Sequence, residues 1–350
     1  MKININIKAI NLMILNWIIE AFSIAKPVAK SAKNSIPKID FAVGGQAVLE
    51  GVMMRSPNSI TIAVRKKDKT IKVHKKKYHT LTQRYSLLNL PILRGMINLV
   101  EMMVIGSKAI NISANEMMDD EMTPKEKAKM RRKGKTWQNK LLEYTMFILS
   151  LVLAIGLSIF LFKFLPLWTT TLLEEKFSYL KEHYFAFNLI DGILKMFMFL
   201  AYIYVLSLIP NFRRIFEYHG AEHKSIFTYE NHLELTPKNA KKQTRFHPRC
   251  GTSFILIVFV ISILVYTALP RQESFWENLS VRIGFLPLIA GISYEYLKLS
   301  AKYSKNFIVK GLVTPGLWFQ RLTTKEPSTS QLEVGLKSLE QALVMESKKR

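Results

Sequence analysis

Long apolar runs alternate with basic stretches along this chain. Four of the runs have the length and hydrophobicity of membrane-spanning helices, namely 142–165, 188–210, 252–269 and 281–298. A helix of about 20 apolar residues crosses a hydrocarbon core of about 30 Å. The last run is the shortest, and Pro287 interrupts it. The pattern therefore predicts a mainly α-helical polytopic membrane protein with about four transmembrane helices.

A further apolar run with helical periodicity covers residues 84–116. It contains Arg94, Glu101 and Lys108, and charged side chains are costly inside a bilayer. We expect this segment to be an interfacial or re-entrant helix that packs on the helical bundle. The residues that follow, 117–140, are highly charged and are predicted to form a cytoplasmic linker.

Residues 40–80 have a different pattern, which predicts a small cytoplasmic domain. Apolar and polar residues alternate over 60–64 and again over 71–73, with Asp68 near the centre of the stretch between them. A period of two is typical of β-strands, so this segment is predicted to contain a β-hairpin. The preceding glycines at positions 44, 45 and 51 predict tight turns.

The two ends of the chain are predicted to lie outside the membrane domain. Residues 1–39 are interpreted as an amphipathic helix on the membrane surface followed by a basic linker, because polar residues interrupt their apolar stretch and a signal-peptide cleavage site is not evident. Residues 301–350 are predicted to form a cytoplasmic tail with a terminal helix. Ser330 and Glu333 have the spacing of a capping box at the start of that helix.

The distribution of positive charge along the chain predicts its orientation in the membrane. The chain has 50 Lys and Arg residues against 26 Asp and Glu, a net charge of +24. The excess lies in the N-terminal region, in the loop 211–251 of the membrane domain 141–300, and in the tail, so the positive-inside bias predicts a multi-pass protein of the cell membrane with both termini cytoplasmic. Membrane lipid is the expected partner of these basic flanks. Nucleic acid is not expected, because the chain contains no helix-turn-helix, zinc-finger or RNA-binding signature.

Candidate chemistry is concentrated in the central loop. Four of the seven histidines and the single cysteine lie between residues 217 and 251. His219 and His223 are spaced so that both imidazoles lie on one helix face, and Glu222 lies beside the second, as in the H-x-x-E-H pattern of inverted zincins. This spacing predicts a divalent metal site, with Zn²⁺ favoured and Glu222 as general base. The alternative interpretation is a pair of interfacial histidines beside an ordinary surface glutamate.

A third metal ligand has to come from elsewhere in the chain. His247 is the leading candidate, with Cys250 and Glu295 behind it, because all three are predicted to lie at the cytoplasmic boundary of the membrane. Glu230 and His232 are further candidates from the loop. Arg249 is interpreted either as a clamp for a carboxylate or phosphate, or as a positive-inside anchor.

Several stretches together resemble a known family. They are GGQAVLEGVMMRSP, LRGMINLVEMMVIGSKAINISA, RRIFEYHGAEHKSIFTYE, FHPRCGTSFILIV, LPLIAGISYEYLKLS and PGLWFQRLTTKEPSTSQLEV. In this order they resemble the successive signature blocks of the YqhQ-like family of bacterial membrane proteins, over residues 41–345. The resemblance implies a predicted metal-dependent enzyme. It adds Gln46, Glu50 and Arg55 as candidate site residues, of which Glu50 and Arg55 are expected to close the site.

The sequence therefore leads to two main hypotheses. The first is a metal-dependent integral membrane hydrolase that acts on an unidentified substrate at the cytoplasmic membrane face. The second is a non-enzymatic membrane scaffold, assembly factor or lipid-handling protein. A transporter is less favoured, since four spans without an inverted repeat are a poor basis for alternating access. The sequence leaves oligomerisation open.

Overall fold

The computed structural model describes residues 43–123, 137–248, 250–270, 272–302 and 307–347. The predicted N-terminal extension 1–39, residues 124–136 of the predicted linker and Arg249 lie outside the described residues.

The N-terminal residues of the described chain form a four-stranded antiparallel sheet. Its strands are β1 (Gly44–Val48), β2 (Gly51–Arg55), β3 (Ser59–Arg65) and β4 (Ile71–Lys77), in the order β1-β2-β3-β4. The predicted hairpin is β3–β4, in which Ala63 pairs with Val73. The glycine-rich segment is not a series of turns, because it supplies β1 and β2. The turn between those strands includes Glu50, which has a φ of 49°.

Helices make up most of the remaining described chain. They are α1 (Leu81–Arg84), α2 (Leu93–Glu121), α3 (Trp137–Ile159), α4 (Leu165–Lys176), α5 (Ser178–Glu182), α6 (Tyr184–Leu208), α7 (Pro210–Glu230), α8 (Pro237–Lys241), α9 (Gly251–Ala268), α10 (Phe275–Gly284), α11 (Leu286–Lys302), α12 (Phe307–Thr323) and α13 (Thr329–Ser347). A short 3₁₀ turn follows α1, and a π-helical segment joins α3 to α4.

Four helical segments of the described residues are long and apolar enough to cross a membrane. They are Leu93–Glu121, Tyr144–Lys176, Tyr184–Leu208 and Gly251–Ala268. The last three contain most of the first three predicted spans. The predicted fourth span, 281–298, is divided between α10 and α11, which meet at Phe285. Pro287 explains the division, because it lacks the amide that would continue the hydrogen bonding of α10.

The sheet is buried between helices on both faces. On one face Val52, Met54 and Ala63 pack into a core with α7 and α13. On the other face the side chains of Met53 and Ile62 pack against α2. Since neighbouring residues of a strand point to opposite faces, β2 contributes to both cores. Both layers hold the sheet against the helical part of the chain.

α2 connects the sheet to the helical part of the chain. Its first turns pack against α11, where Arg94 binds Glu295 and the Nδ2 of Asn98 donates to the hydroxyl of Tyr294 at 3.0 Å. Its second half packs on the sheet through Ile105 and Ala109. α2 therefore has the length and composition of a span, and it also has the packing expected of a helix bound to the bundle and the small domain.

The residue that caps the terminal helix α13 is Ser328, two residues before the predicted cap. The amide of Ser328 donates to Oε1 of Gln331 at 2.8 Å, and the amide of Gln331 donates to Oγ of Ser328 at 3.3 Å. The cap is thus not Ser330 with Glu333, because a glutamine three residues after a serine satisfies the same two amides. The predicted leucine stripe is buried, with Leu332 and Leu339 fully enclosed.

Candidate metal centre

α7 carries two histidines one turn apart. α7 starts at Pro210, immediately after α6, and runs on to Glu230. Side chains at i and i+4 lie on the same face of a helix, and the ring centroids of His219 and His223 are 4.5 Å apart. His223 is buried, whereas 15% of the His219 side chain is exposed. The pair is therefore reached by solvent on the His219 side.

Backbone carbonyls determine which ring nitrogen of each imidazole carries the proton. Nδ1 of His219 lies 2.8 Å from the carbonyl oxygen of Thr323, and Nδ1 of His223 lies 2.5 Å from that of Arg245. A carbonyl oxygen only accepts hydrogen bonds, so each Nδ1 carries the proton. In the neutral imidazole the other nitrogen, Nε2, then has a free lone pair. This is the arrangement that orients metal-binding histidines in proteins.

The thiol of Cys250 lies opposite these lone pairs. Its Sγ is 3.2 Å from Nε2 of His219, and the three ligand atoms offered by His219, His223 and Cys250 all lie within 4.8 Å of one another. Cys250 is held in place as the N-cap of α9, since its sulfur accepts from the amide of Thr252 at 3.4 Å. The loop and α9 thereby bring a sulfur donor to the histidine pair of α7.

Glu222 places a buried carboxylate beside the same atoms. Its Oε2 is 3.8 Å from Nε2 of His219 and 3.6 Å from Nε2 of His223, and only 4% of the residue is exposed. Burial raises the pKa of this carboxyl group, while the nearby His219 and His247 and a hydrogen bond from the Gly45 amide act in the opposite direction. A carboxyl group with a raised pKa is better suited to accept and return a proton at neutral pH than an exposed glutamate.

Two histidines near this carboxylate, His223 and His247, favour the neutral form. Burial lowers the pKa of His223 and of His247 below the ordinary value, because a charged imidazolium loses its hydration there. Neutral imidazole is the form that binds metals. The environment therefore favours the ligand form of these side chains over a cluster of charged groups.

His247 lies at the edge of the cluster. Its ring centroid is 5.6 Å from that of His223, and its Nε2 is 3.4 Å from Oε2 of Glu230. Gln320 of α12 fixes its backbone: the His247 amide donates to Oε1 at 2.7 Å, and Nε2 of Gln320 donates to the His247 carbonyl at 2.7 Å. Of the candidate third ligands, the structure thus places Cys250 nearest the pair.

Comparison with known proteins adds the family. A family described as "Protein of unknown function (DUF1385)" matches residues 90–345. The "Uncharacterized protein YqhQ" of Bacillus subtilis (strain 168) is 34% identical over 310 residues, which cover 89% of this chain and 95% of that protein. This chain belongs to the YqhQ-like DUF1385 family. No solved structure matches it significantly.

The DUF1385 match includes the cluster and the helices that support it, while β1–β4 lie before its first residue. Glu222 nevertheless packs directly on β1. A Cβ added to Gly45 would lie 2.7 Å from Cγ of Glu222, closer than real Cβ contacts. The glycine at this position allows the strand to lie against the carboxylate, so the small sheet forms one wall of the candidate site.

Two of the predicted acidic site residues have other partners. Glu295 is bound by Arg94 of α2, with Nε 2.6 Å from Oε1. Glu50, at the β1–β2 turn, is bound by Arg214 and lies 3.2 Å from the hydroxyl of Tyr218. Each carboxylate therefore joins two structural elements. These partners lie outside the histidine pair.

The other predicted residues from the N-terminal block face α2. Gln46 follows Gly45 on β1 and points to the opposite side, where it lies against Gly106. Arg55 lies 5.5 Å from the ring centroid of Tyr78 and contacts the sulfur of Met102. Both side chains belong to the contact between the sheet and α2. His232 is exposed in the loop that follows α7.

Residue-level reasoning on the sequence missed the groups that orient the site. The carbonyls of Arg245 and Thr323 leave no mark in a sequence, because any residue offers one. Gln320 and Gly45 are visible only as parts of the family blocks. A glycine beside a glutamine, as in Gly45 and Gln46, is a weak signal, and the contact of Gly45 with Glu222 depends on the packing of β1 against α7.

Proposed function

We propose that this protein is a metal-dependent membrane hydrolase, in which His219, His223 and Cys250 hold Zn²⁺ or a similar divalent ion and Glu222 acts as general base. One observation carries the proposal. Two imidazole lone pairs, freed by hydrogen bonds from Nδ1 to backbone carbonyls, converge on a thiol and lie beside a buried carboxylate.

The donor set fits a divalent transition metal. Two histidine nitrogens and one cysteine sulfur form a known type of catalytic zinc site with three protein ligands. Tetrahedral bond lengths of about 2.05 Å to nitrogen and about 2.3 Å to sulfur place such atoms about 3.6 Å apart. The 3.2 Å between Nε2 of His219 and Sγ of Cys250 is close to this value.

Each residue of the site has a distinct role in the proposal. A bound metal lowers the pKa of a water molecule to about 7 and so supplies a nucleophile at neutral pH. Glu222 accepts the proton at Oε2 and can return it to a leaving group, a role suited to a carboxyl group whose pKa burial has raised. The buried walls around His223 and Cys250 limit the access of bulk water.

The position of the site in the chain supports a substrate at the membrane surface. α6 and α9 pack against each other. The end of α6 leads into α7, which bears the histidines, and Cys250 caps the start of α9. If both helices cross the membrane, these two ends lie at the same boundary. The basic loop between them then places that boundary on the cytoplasmic side.

Metal analysis of the purified protein tests the proposal. Wild-type protein should contain about one equivalent of zinc, and the variant combining His219→Ala with His223→Ala should lose it. The matched control combines His79→Ala with His183→Ala, which removes two exposed histidines outside the cluster. Metal content that is low in the wild type, or equal in all three proteins, contradicts the proposal.

Cobalt substitution tests the sulfur ligand directly. Co²⁺-loaded wild type should show thiolate-to-metal charge transfer in the near ultraviolet, and Cys250→Ser should abolish that band. A band that persists in this variant would show that the sulfur is no ligand, because Cys250 is the only cysteine of the chain.

A structural role for the same residues is the second candidate. The Nδ1 hydrogen bonds of His219 and His223 tie α7 to the end of α12 and to the loop before α9, as a scaffold would require. Glu222→Gln discriminates, because it keeps the size of the side chain but removes the base. The hydrolase should lose the cellular function of the protein with metal and folding intact, whereas a scaffold should keep it.

A further inference from the structure

A groove of about 1,000 Å³ runs between the sheet and α2, and the metal cluster is not part of it. This volume is at the upper end of small-molecule pockets. Its floor is mainly apolar and is formed by side chains of β3 and α2, among them Ile60, Ile62, Ile97, Val100, Val104 and Ile105. The groove lies on the α2 face of the sheet, whereas α7 and its histidines pack on the other face.

The rim of the groove is strongly basic. Five cationic residues border it, namely Lys75, Lys76, Lys77, Arg84 and Lys108. The register of β4 directs the side chain of Lys76 to the groove face and those of Lys75 and Lys77 to the other face. One carboxylate lines it as well, that of Glu101, whose Oε1 accepts from the amide of Leu81 at 2.7 Å. Glu101 therefore stabilises the start of α1, and the groove keeps an excess of positive charge.

These cations differ from two other lysines in or next to the sheet. Lys66 and Lys72 are paired with Glu116 at the far end of α2. None of the five rim cations has an ion-pair partner in the described part of the chain. Lys76 is opposite Ile60 in the strand register, so its side chain leaves the sheet on the groove face. Lys76, Arg84 and Lys108 thus border the apolar floor without an ion-pair partner in the described part of the chain.

We infer that this groove binds an anionic phospholipid. An acyl chain fits the apolar floor, and the phosphate is placed near Lys76, Arg84 and Lys108 at the rim. Apolar side chains at and near the groove are also exposed, since Val100 on α2 is 60% exposed and Leu87, in the turn before α2, is 77% exposed. An apolar slot with a cationic rim matches the two halves of such a lipid.

The N-terminal residues 1–42 are the competing occupant. They contain an apolar stretch, but they also carry six lysines against two acidic residues. Like charges along the rim would repel this segment, whereas a phosphate attracts the same side chains. Charge complementarity therefore favours the anionic lipid over the chain's own N-terminus.

Photo-crosslinking in native membranes identifies the occupant. A photoreactive amino acid in place of Val104, on the groove floor, should capture phospholipid, seen by mass spectrometry of the adduct. Capture of a peptide from residues 1–42, or of a second copy of the chain, overturns the inference.

Binding measurements with purified full-length protein test the charge. Phosphatidylglycerol in nanodiscs or mixed micelles should bind more tightly than phosphatidylcholine. Neutralising Lys76, Arg84 and Lys108 to glutamine should weaken phosphatidylglycerol binding on the order of 100-fold at low salt, since each basic residue contributes roughly 1 kcal/mol, about fivefold. The matched control neutralises the exposed Lys238, Lys241 and Lys242 in and next to α8.

The two triple variants should have similar melting temperatures, and both should keep the metal content of the wild type. Equal affinity for the two lipids, or equal weakening by the groove variant and the α8 variant, refutes the inference. Loss of metal from every variant would bear on the proposed hydrolase site alone, so the two proposals fail by different measurements.

Discussion

Replacing Gly45 by alanine tests the contact between the sheet and the candidate site. The added Cβ would lie 2.6 Å from the carbonyl oxygen of Met53, and 2.7 Å and 2.9 Å from Cγ and Oε1 of Glu222. Real Cβ contacts of this length essentially do not occur. The Met53 oxygen belongs to the neighbouring strand β2, so relief requires β1 to move away from β2 or from α7. We therefore expect Gly45→Ala to destabilise the protein and to displace the carboxylate.

The neighbouring Gly44 provides a matched control. A Cβ at Gly44 would have no atom within 4 Å, and both glycines lie in β1 without a positive φ. Alanine in a strand gains about 0.5–1 kcal/mol over glycine in either position. Overpacking of a filled space costs about 1–3 kcal/mol. Because the first contribution cancels, the free energies of unfolding of the two variants should differ by about 1–3 kcal/mol, with Gly45→Ala the less stable.

Thermal unfolding in detergent, followed by the fluorescence of the five tryptophans, measures the difference. Gly45→Ala should melt below the wild type, and Gly44→Ala should melt at or slightly above it. If Gly45→Ala melts together with Gly44→Ala, β1 does not lie against Glu222 in the way described. The inference that the sheet forms a wall of the site would then be refuted.

Two further predictions concern pH and buried charge. Burial lowers the pKa of His247 below its unfolded value of about 6.5, so its contribution to stability is complete above that pH and is lost as the pH falls. His247→Gln should therefore make the melting temperature less dependent on pH just below 6.5. An unchanged slope of melting temperature against pH would contradict this. Asp191 forms ion pairs with both Lys195 and Arg282 in a fully buried network. Asp191→Asn should therefore lower the free energy of unfolding by about 3–5 kcal/mol. It should also lower the melting temperature more than Lys195→Met, which leaves the Asp191–Arg282 pair. The reverse order would show that the network does not depend on the carboxylate.

Local sequence patterns predicted the helices and strands well where the same pattern continues through the whole segment. The uniform apolarity of 252–269 corresponds to α9 (Gly251–Ala268), and the alternation at 60–64 corresponds to β3. The segment 281–298 is divided between two helices and does not form the single predicted span. Its hydrophobicity predicts a span, but Pro287 interrupts the helix. For α2 the sequence does not decide between a span and a packed helix, because bilayer and sheet offer similar apolar surroundings.

The candidate site was predictable only in part, because its ligand pair is local and its other members are not. The spacing of His219 and His223 directly implies a shared helix face. Their Nδ1 partners come from residues 22 and 104 positions away. Gly220 illustrates the same point. Glycine has a low helix propensity, yet a side chain at this position would overlap the carbonyl of Lys325, so tertiary packing requires the glycine.

β1 contacts the candidate metal site on one of its sides and α2 on the other. Gly45 faces Glu222 on one side of the strand, and Gln46 faces Gly106 of α2 on the other. A strand has a period of two, so a shift of one residue would exchange these contacts and place the glutamine against the carboxylate. Both contacts therefore need the same register of β1. This requirement gives a physical reason for the GGQ sequence: a glycine lets the carboxylate approach the strand, and a glutamine next to it packs on the helix that lines the groove.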